Sequence, residues 1–253
     1  MKTHDLLNKT RSGESLSRDE LLVLLDLPPD SSDTYMVMAE ANRISKEVSD
    51  GNAEVHAQFA VNLAPCSCDC LFCSFAEVNG VFTASTVLSP GQAVAYARQF
   101  ETDGANALFL MSTAHYPFER FLETAKEVRK NLKPETTLIA NVGDQSLRSA
   151  IKLKDAGFTG VYHALRLREG IDTSLDVGKR KRSILNFREA GLEVGTCVEP
   201  VGPEHTNAEL ADMIAFTASF NPAFSGAARR IPIPGTRLAA RGIISELRMA
   251  QIV

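Results

Sequence analysis

From residue 56 onward, short apolar or alternating runs bounded by glycine, proline and acidic turns alternate with longer runs. In the longer runs the apolar positions recur every three to four residues. The pattern predicts strands over 56–63, 107–111, 136–141, 160–165, 193–199 and, more weakly, 224–233. It predicts helices over 90–102, 118–131, 146–156, 176–190, 207–219 and 241–253. Six strand–helix units of this length imply a parallel sheet with right-handed crossovers. Gly104, Gly157 and Gly191 each follow a predicted helix and precede a strand, where a helix-ending glycine belongs. Residues 1–55 differ, reading as helical with no strand. Ser17 and Glu20 form a capping box before Leu21, Leu22, Leu24 and Leu25, and Pro28-Pro29 ends that helix. A second helix is expected over 32–50, stopping at Gly51-Asn52.

Composition alters this picture little. The chain has 253 residues, 44% hydrophobic and 23% charged, enough for one α/β domain with a full core. A net charge of −4 gives no electrostatic case for nucleic acid or an anionic membrane. No apolar run reaches membrane-spanning length, and the N-terminus MKTHDLLNKTRSGES lacks a signal-peptide core. The expected location is therefore the cytoplasm. In that reducing setting the cysteines read as a metal site rather than disulfides.

The chemistry gathers in one stretch, NLAPCSCDCLFCSF, which carries Cys66, Cys68, Cys70 and Cys73; the fifth cysteine, Cys197, is distant and single. Four free thiols in eight residues would repel one another as thiolates and oxidise readily, and a bound metal removes both problems. Zinc usually takes four ligands from separated pairs, and there is no second pair at such spacing. Three thiolates on one short loop, Cys66, Cys70 and Cys73 in a C-x3-C-x2-C pattern, suit a [4Fe–4S] cluster with one open iron. This reading stands ahead of zinc and of an unmetallated thiol cluster. Cys68, between the ligands, is expected to point away from them.

Cys66-x3-Cys70-x2-Cys73, with Phe72 before the last cysteine, resembles the signature loop of the radical S-adenosylmethionine (radical SAM) enzymes. The resemblance implies a partial TIM barrel, (β/α)6, over 56–253, with 1–55 as an N-terminal helical extension capping the barrel. It also implies that Cys66, Cys70 and Cys73 hold a [4Fe–4S] cluster whose open iron binds S-adenosyl-L-methionine. Reductive cleavage to a 5′-deoxyadenosyl radical would follow, with hydrogen abstraction from a small-molecule substrate. An electron donor such as flavodoxin or ferredoxin and anaerobic handling come with it.

In βα barrels the chemistry sits at the C-terminal strand ends. After the second strand, Ser112 and Thr113 match a segment that holds the methionine amino group in the family, although its glycines and acid are missing here. His115 beside them is expected as an exposed loop residue ahead of a substrate contact. After the third strand, Asn141 either points an amide into the mouth or caps a turn, and Asp144 is assigned to the following helix N-terminus. After the fourth, the polar run from Tyr162 to Gly170 offers Arg166 and Glu169, which resemble cofactor-contacting residues of biotin-synthase-like members; a solvated loop is the alternative. Arg180 in the next helix resembles an arginine that reaches the methionine carboxylate, with Arg182 competing for the role. After the fifth, Glu199 faces the mouth, and the stretch from Val201 to Thr206 resembles a glycine-rich turn of that group. Cys197 reads as a buried structural thiol. After the sixth, Pro232-Ile233-Pro234-Gly235-Thr236 resembles a segment whose backbone, at Ile233, lies along the adenine.

Biotin synthase itself needs further barrel cysteines for a second cluster, and Met111 and Asn141 stand there instead, which weighs against sulfur insertion. Members of this group also usually continue beyond six strands, so the chain is read as a shortened member or a truncated one. The expected function is therefore a biotin-synthase-like radical SAM enzyme of cofactor biosynthesis, with hydrogenase metal-cofactor maturation favoured. A 3-methylornithine-synthase-like mutase is the runner-up, and a non-catalytic iron–sulfur or zinc protein the alternative of another class. The sequence does not give the oligomeric state.

Overall fold

The structure, a computed structural model, describes residues 2–253. Three helices come first: α1 (Thr3–Arg11), α2 (Arg18–Leu25) and α3 (Ser32–Val48). Ser17 and Glu20 form the expected box at the start of α2. Strand β1 (His56–Ala60) then opens the alternating part, and β2 (Asn62–Leu63) pairs with β3 (Thr86–Val87) as a small antiparallel ribbon. The succession continues with α4 (Pro90–Thr102), β4 (Ala107–Met111), α5 (Phe118–Lys130), β5 (Thr137–Asn141), α6 (Leu147–Asp155) and β6 (Gly160–Tyr162). It ends with α7 (Val177–Glu189), β7 (Glu193–Val201), α8 (Asn207–Ser219), β8 (Phe224–Arg229) and α9 (Glu246–Ile252).

Among the described residues the main sheet has six parallel strands in the order β1-β4-β5-β6-β7-β8. Sequential strands lie side by side, as helix-linked parallel units require, and the sheet is an open half barrel. The helix-facing side of β4 and β5 is apolar and fully covered: Leu108, Leu110, Leu138 and Ala140 are all 0% exposed. They pack with Phe121, Phe158 and Phe187 in one core, where Phe121 and Phe158 stack at 5.7 Å. The lumen-facing set carries larger and more polar groups. His56, Phe109, Tyr162 and Phe224 form a connected ring cluster across it. Gly195 makes this possible, because a Cβ there would lie 2.0 Å from the Phe224 ring.

The N-terminal helices dock through α2 on α8 and α3 on α9, with Leu25 in a second core beside Val198, Val201, Leu210 and Ile252. No helix among the described residues is long and apolar enough to cross a membrane.

Several element ends differ from the sequence expectation. The first strand breaks at Val61, whose neighbours turn into the ribbon. The fourth stops at Tyr162, because Ala164 and Leu165 leave the ladder to enter the site loop. The sixth ends at Arg229, since Pro232 and Pro234 cannot donate to a ladder. The last helix starts only at Glu246, after Gly242 takes φ 77°.

Candidate functional site

The cysteine loop leaves the mouth end of the first strand and is tied down on three sides. Cys66 N–H donates to Phe75 O at 2.8 Å and Glu77 N–H to Cys66 O at 3.0 Å, closing the loop on itself. Leu71 N–H donates to Asp172 O and Ser174 N–H to Cys68 O, both at 2.9 Å, which fixes it to the loop after β6. Asn79 donates its amide to Cys73 O at 2.8 Å and Cys70 O at 3.2 Å, and its Oδ1 accepts from Arg237 N–H at 3.1 Å. Asn79 thus clamps two of the cysteines to the Pro-Gly-Thr segment. Nothing in the local sequence marks it, because its partners lie as far as 158 residues away.

Cys66, Cys70 and Cys73 line one pocket with Ser112, Thr113, Asn141, Arg166 and Arg180. A larger cavity of about 790 Å³ adjoins it, sharing Cys73, Met111, Asn141, Tyr162 and Arg166, and takes in Phe72, Glu199 and Ile233. The structure therefore gathers the sequence-assigned residues at one mouth, with three adjustments. Glu169 is 6% exposed and lies behind the arginines, accepting from Thr173 Oγ1 at 2.7 Å and from Arg166 N–H at 3.1 Å. Thr113 is already engaged with buried Asn62, its hydroxyl accepting at 2.8 Å and its N–H donating at 3.0 Å. Asp144 does not cap a helix; Ser146 does that, and Asp144 turns inward to His163 and Arg180.

That inward turn builds a buried charge network. His163 Nε2 lies 3.0 Å from Asp144 Oδ1, and Arg180 Nη1 lies 2.9 Å from His163 Nε2 and 3.2 Å from Nδ1. A neutral imidazole that donates from Nε2 to Asp144 keeps Nδ1 as its one acceptor for Arg180 Nη1, which is in reach of both ring nitrogens. Burial holds the His163 pKa down at about 4, against the opposing pull of Asp144, so the ring is neutral at pH 7. Arg180 Nε sits 3.3 Å from Asp144 and 3.9 Å from Glu169. Arg182 is exposed on α7, so the buried arginine of that helix is Arg180. Arg166 reaches Glu169 at 3.6 Å and Glu199 at 3.7 Å. Burial opposes the Arg166 charge, yet Glu199 and Glu169 outweigh it and its pKa rises. Tyr162 donates its hydroxyl to Glu199 at 2.8 Å. Arg166 Nη1 and Arg180 Nε are buried with no hydrogen-bond partner. Two guanidinium groups face three carboxylates, Asp144, Glu169 and Glu199, so the network carries one net negative charge.

The thiol geometry bears on which metal group fits. Zinc–sulfur bonds of about 2.3 Å put the sulfurs of a tetrahedral ion about 3.8 Å apart. Cys66, Cys70 and Cys73 do not come within 4.8 Å of one another as a set. That is wider than one ion takes, and a polynuclear cluster, in which each thiolate takes its own iron, calls for the wider spacing. Burial pushes the Cys70 thiol up to about 12, so its ligand form depends on a bound cation. Cys68 departs from expectation: it is 5% exposed and its sulfur lies beside those of Cys66 and the His115 ring, not away from the loop.

No family model matches the chain. In sequence it is similar to biotin synthase 1 of Corynebacterium diphtheriae, 24% identical over 235 residues, covering 90% of this chain and 66% of that protein. It is also similar to the biotin synthase of Clostridium perfringens, 26% identical over 196 residues, covering 74% and 59%. The chain thus spans about three fifths to two thirds of the length of these relatives. In structure it matches the [FeFe]-hydrogenase maturase HydG from Carboxydothermus hydrogenoformans at a TM-score of 0.82 and 19% identity, covering 99% of this chain and 62% of HydG. Coproporphyrinogen III oxidase (HemN) from Escherichia coli, a radical SAM enzyme, matches at 0.52 and 13%, covering 94% and 54%. The fold is the partial barrel of radical SAM enzymes. Methylornithine synthase (PylB) has the same fold, matching at a TM-score of 0.84 and 16% identity and covering 98% of this chain and 74% of PylB.

Proposed function

We propose that the chain is a radical SAM enzyme that binds a [4Fe–4S] cluster on Cys66, Cys70 and Cys73 and S-adenosylmethionine beside it. The observation that carries this reading is the pocket itself. Three cysteines too widely spaced for one ion open onto two arginines in the same pocket, Arg180 buried and Arg166 half-buried. A methionine carboxylate in that pocket would pair with their guanidinium groups. The one net negative charge of the network offsets the net positive charge of S-adenosylmethionine, whose sulfonium and ammonium outnumber its carboxylate.

When bound on Cys66, Cys70 and Cys73, the cluster would supply one-electron reduction of the sulfonium. The chain's own residues bind, orient and shield. Arg166 and Arg180 hold the carboxylate, and Asp144, His163 and Glu169 fix the arginines from behind. Ser112 and Asn141 are free at the pocket rim for the amino group and ribose. Phe72 and Ile233 flank the adenine in the larger cavity. Phe109, Tyr162 and Phe224 form its apolar floor, which keeps water from a carbon radical. Tyr162 keeps its proton, since burial and then Glu199 raise its pKa.

Within this class we favour maturation of a hydrogenase metal cofactor, supported by the fold likeness to HydG. The likeness to methylornithine synthase supports a carbon-skeleton mutase as the second reading. Sulfur insertion of the biotin-synthase kind has little support. Among the described residues Cys197 is the sole cysteine on the barrel strands, and Met111 and Asn141 occupy the other candidate strand ends. A flavodoxin or ferredoxin is the proposed electron donor. The test is electron paramagnetic resonance of the reduced, reconstituted chain titrated with S-adenosylmethionine. A shifted cluster signal supports the reading, and an unchanged signal contradicts it.

A further inference from the structure

Cys68 stands where the three-cysteine pattern has no use for it, yet the fold treats it as part of the site. Asp69 takes a left-handed φ of 47°, reversing the chain so that Cys68 and Cys70 both face the same pocket. The Cys68 backbone oxygen is anchored by Ser174 N–H at 2.9 Å. Its sulfur, the Cys66 sulfur and a ring nitrogen of His115 all lie within 4.8 Å of one another. Ser67 Oγ sits 3.3 Å from His115 Nδ1, a contact that orients the ring. Two thiolates and one imidazole at this spacing form a soft donor set for one divalent ion, with a fourth position left to solvent. The same loop therefore carries a compact set of donors and a wide one, and they share Cys66.

We propose that Cys66, Cys68 and His115 form a mononuclear zinc site that excludes the cluster on Cys66, Cys70 and Cys73. Zinc fits because it prefers tetrahedral thiolate and imidazole ligands and has no redox chemistry to damage the loop. Cys66 cannot serve both sets at once, so the two metal states compete. The zinc state holds Cys66 and Cys68 as bound thiolates, which protects the pair from oxidation before the cluster is loaded. Cluster assembly must then draw Cys66 away from zinc and engage Cys70 and Cys73. The competition rests on the proposed cluster ligands, while the compact donor set for zinc stands apart from the radical chemistry.

The test is an anaerobic titration of the reduced, metal-free full chain with zinc, and with cobalt(II) as a spectroscopic stand-in. One equivalent should bind, with cobalt giving tetrahedral visible bands and thiolate charge-transfer absorption. Cys68→Ala and His115→Ala should each weaken zinc binding about tenfold or more, a change of about 1.4 kcal/mol or more. Cys73→Ala should leave zinc binding unchanged while losing the iron–sulfur cluster. Cys68→Ala should still take up its iron–sulfur cluster on reconstitution, which also shows that it folds. Zinc preloaded on the wild type should slow iron uptake, and the effect should vanish in Cys68→Ala. Three results would overturn the proposal: no zinc binding, equal binding by Cys68→Ala and His115→Ala, or zinc binding that depends on Cys73. Because the readouts are zinc affinity and cobalt spectra, failure here is distinct from failure to cleave S-adenosylmethionine.

Discussion

The imidazole of His163, 2% exposed, meets the Asp144 carboxylate at 3.0 Å, and together they form the wall against which Arg180 rests. Neither residue need touch a ligand. Their role is to hold a buried guanidinium, which is costly unless paired, in one orientation. Asp144→Asn removes the nearest charge partner of Arg180. The affinity for S-adenosylmethionine should fall about tenfold, with iron content unchanged, as read by calorimetry on the reconstituted chain.

The same ring gives a pH signature. Its folded pKa is held near 4, below the unfolded value of about 6.5. Below pH 6.5 the unfolded chain takes up a proton that the folded ring refuses. Stability from this group is therefore full above pH 6.5 and falls as pH drops toward 4, by about 3 kcal/mol in all. His205 is shifted the same way and adds to the trend. Urea unfolding of wild type and His163→Gln between pH 7 and pH 5 should show a shallower slope in the variant.

Asn79 ties Cys70 and Cys73 to the segment ending at Arg237. Asn79→Ala frees both carbonyls and loosens the loop without removing a thiol. The expected result is a chain of near wild-type stability that loses iron several times faster to a chelator. Iron release monitored by absorbance checks this.

Arg230 is 3% exposed and bonds both oxygens of Glu204. Burial works against the Glu204 carboxylate, but the Arg230 bonds outweigh it and hold its pKa at about 2. Glu204→Gln leaves a buried cation without its partner and should cost roughly 3–5 kcal/mol in urea unfolding. Glu119→Gln breaks an exposed pair with Lys152 and should cost under about 1 kcal/mol.

The barrel was readable because its signals are local. Leu108 and Leu110, buried under helices, lie in a continuous apolar run, and Ser89, Ser146 and Thr206 each cap the helix that follows them. The cysteine loop was readable for the same reason, as spacing within eight residues. What escaped was long-range pairing. Asp144 reads locally like a helix cap, and only the fold brings it to a histidine 19 residues on. Asn79 has no periodicity to betray its clamp. Neighbouring positions on a tight loop are expected to point apart, whereas the left-handed turn at Asp69 brings Cys68 back beside Cys66. Thr113 is engaged by Asn62, 51 residues earlier, a pairing that no local pattern marks.

The central claim is that Cys66, Cys70 and Cys73 carry a cluster that cleaves S-adenosylmethionine. The most direct measurement is anaerobic reconstitution with iron and sulfide, followed by assay with S-adenosylmethionine and dithionite. About four irons per chain should bind, as a [4Fe–4S] cluster requires. 5′-Deoxyadenosine should form in the wild type and be absent in Cys70→Ala. A stable cluster with no 5′-deoxyadenosine, or product formation that survives Cys70→Ala, would contradict it.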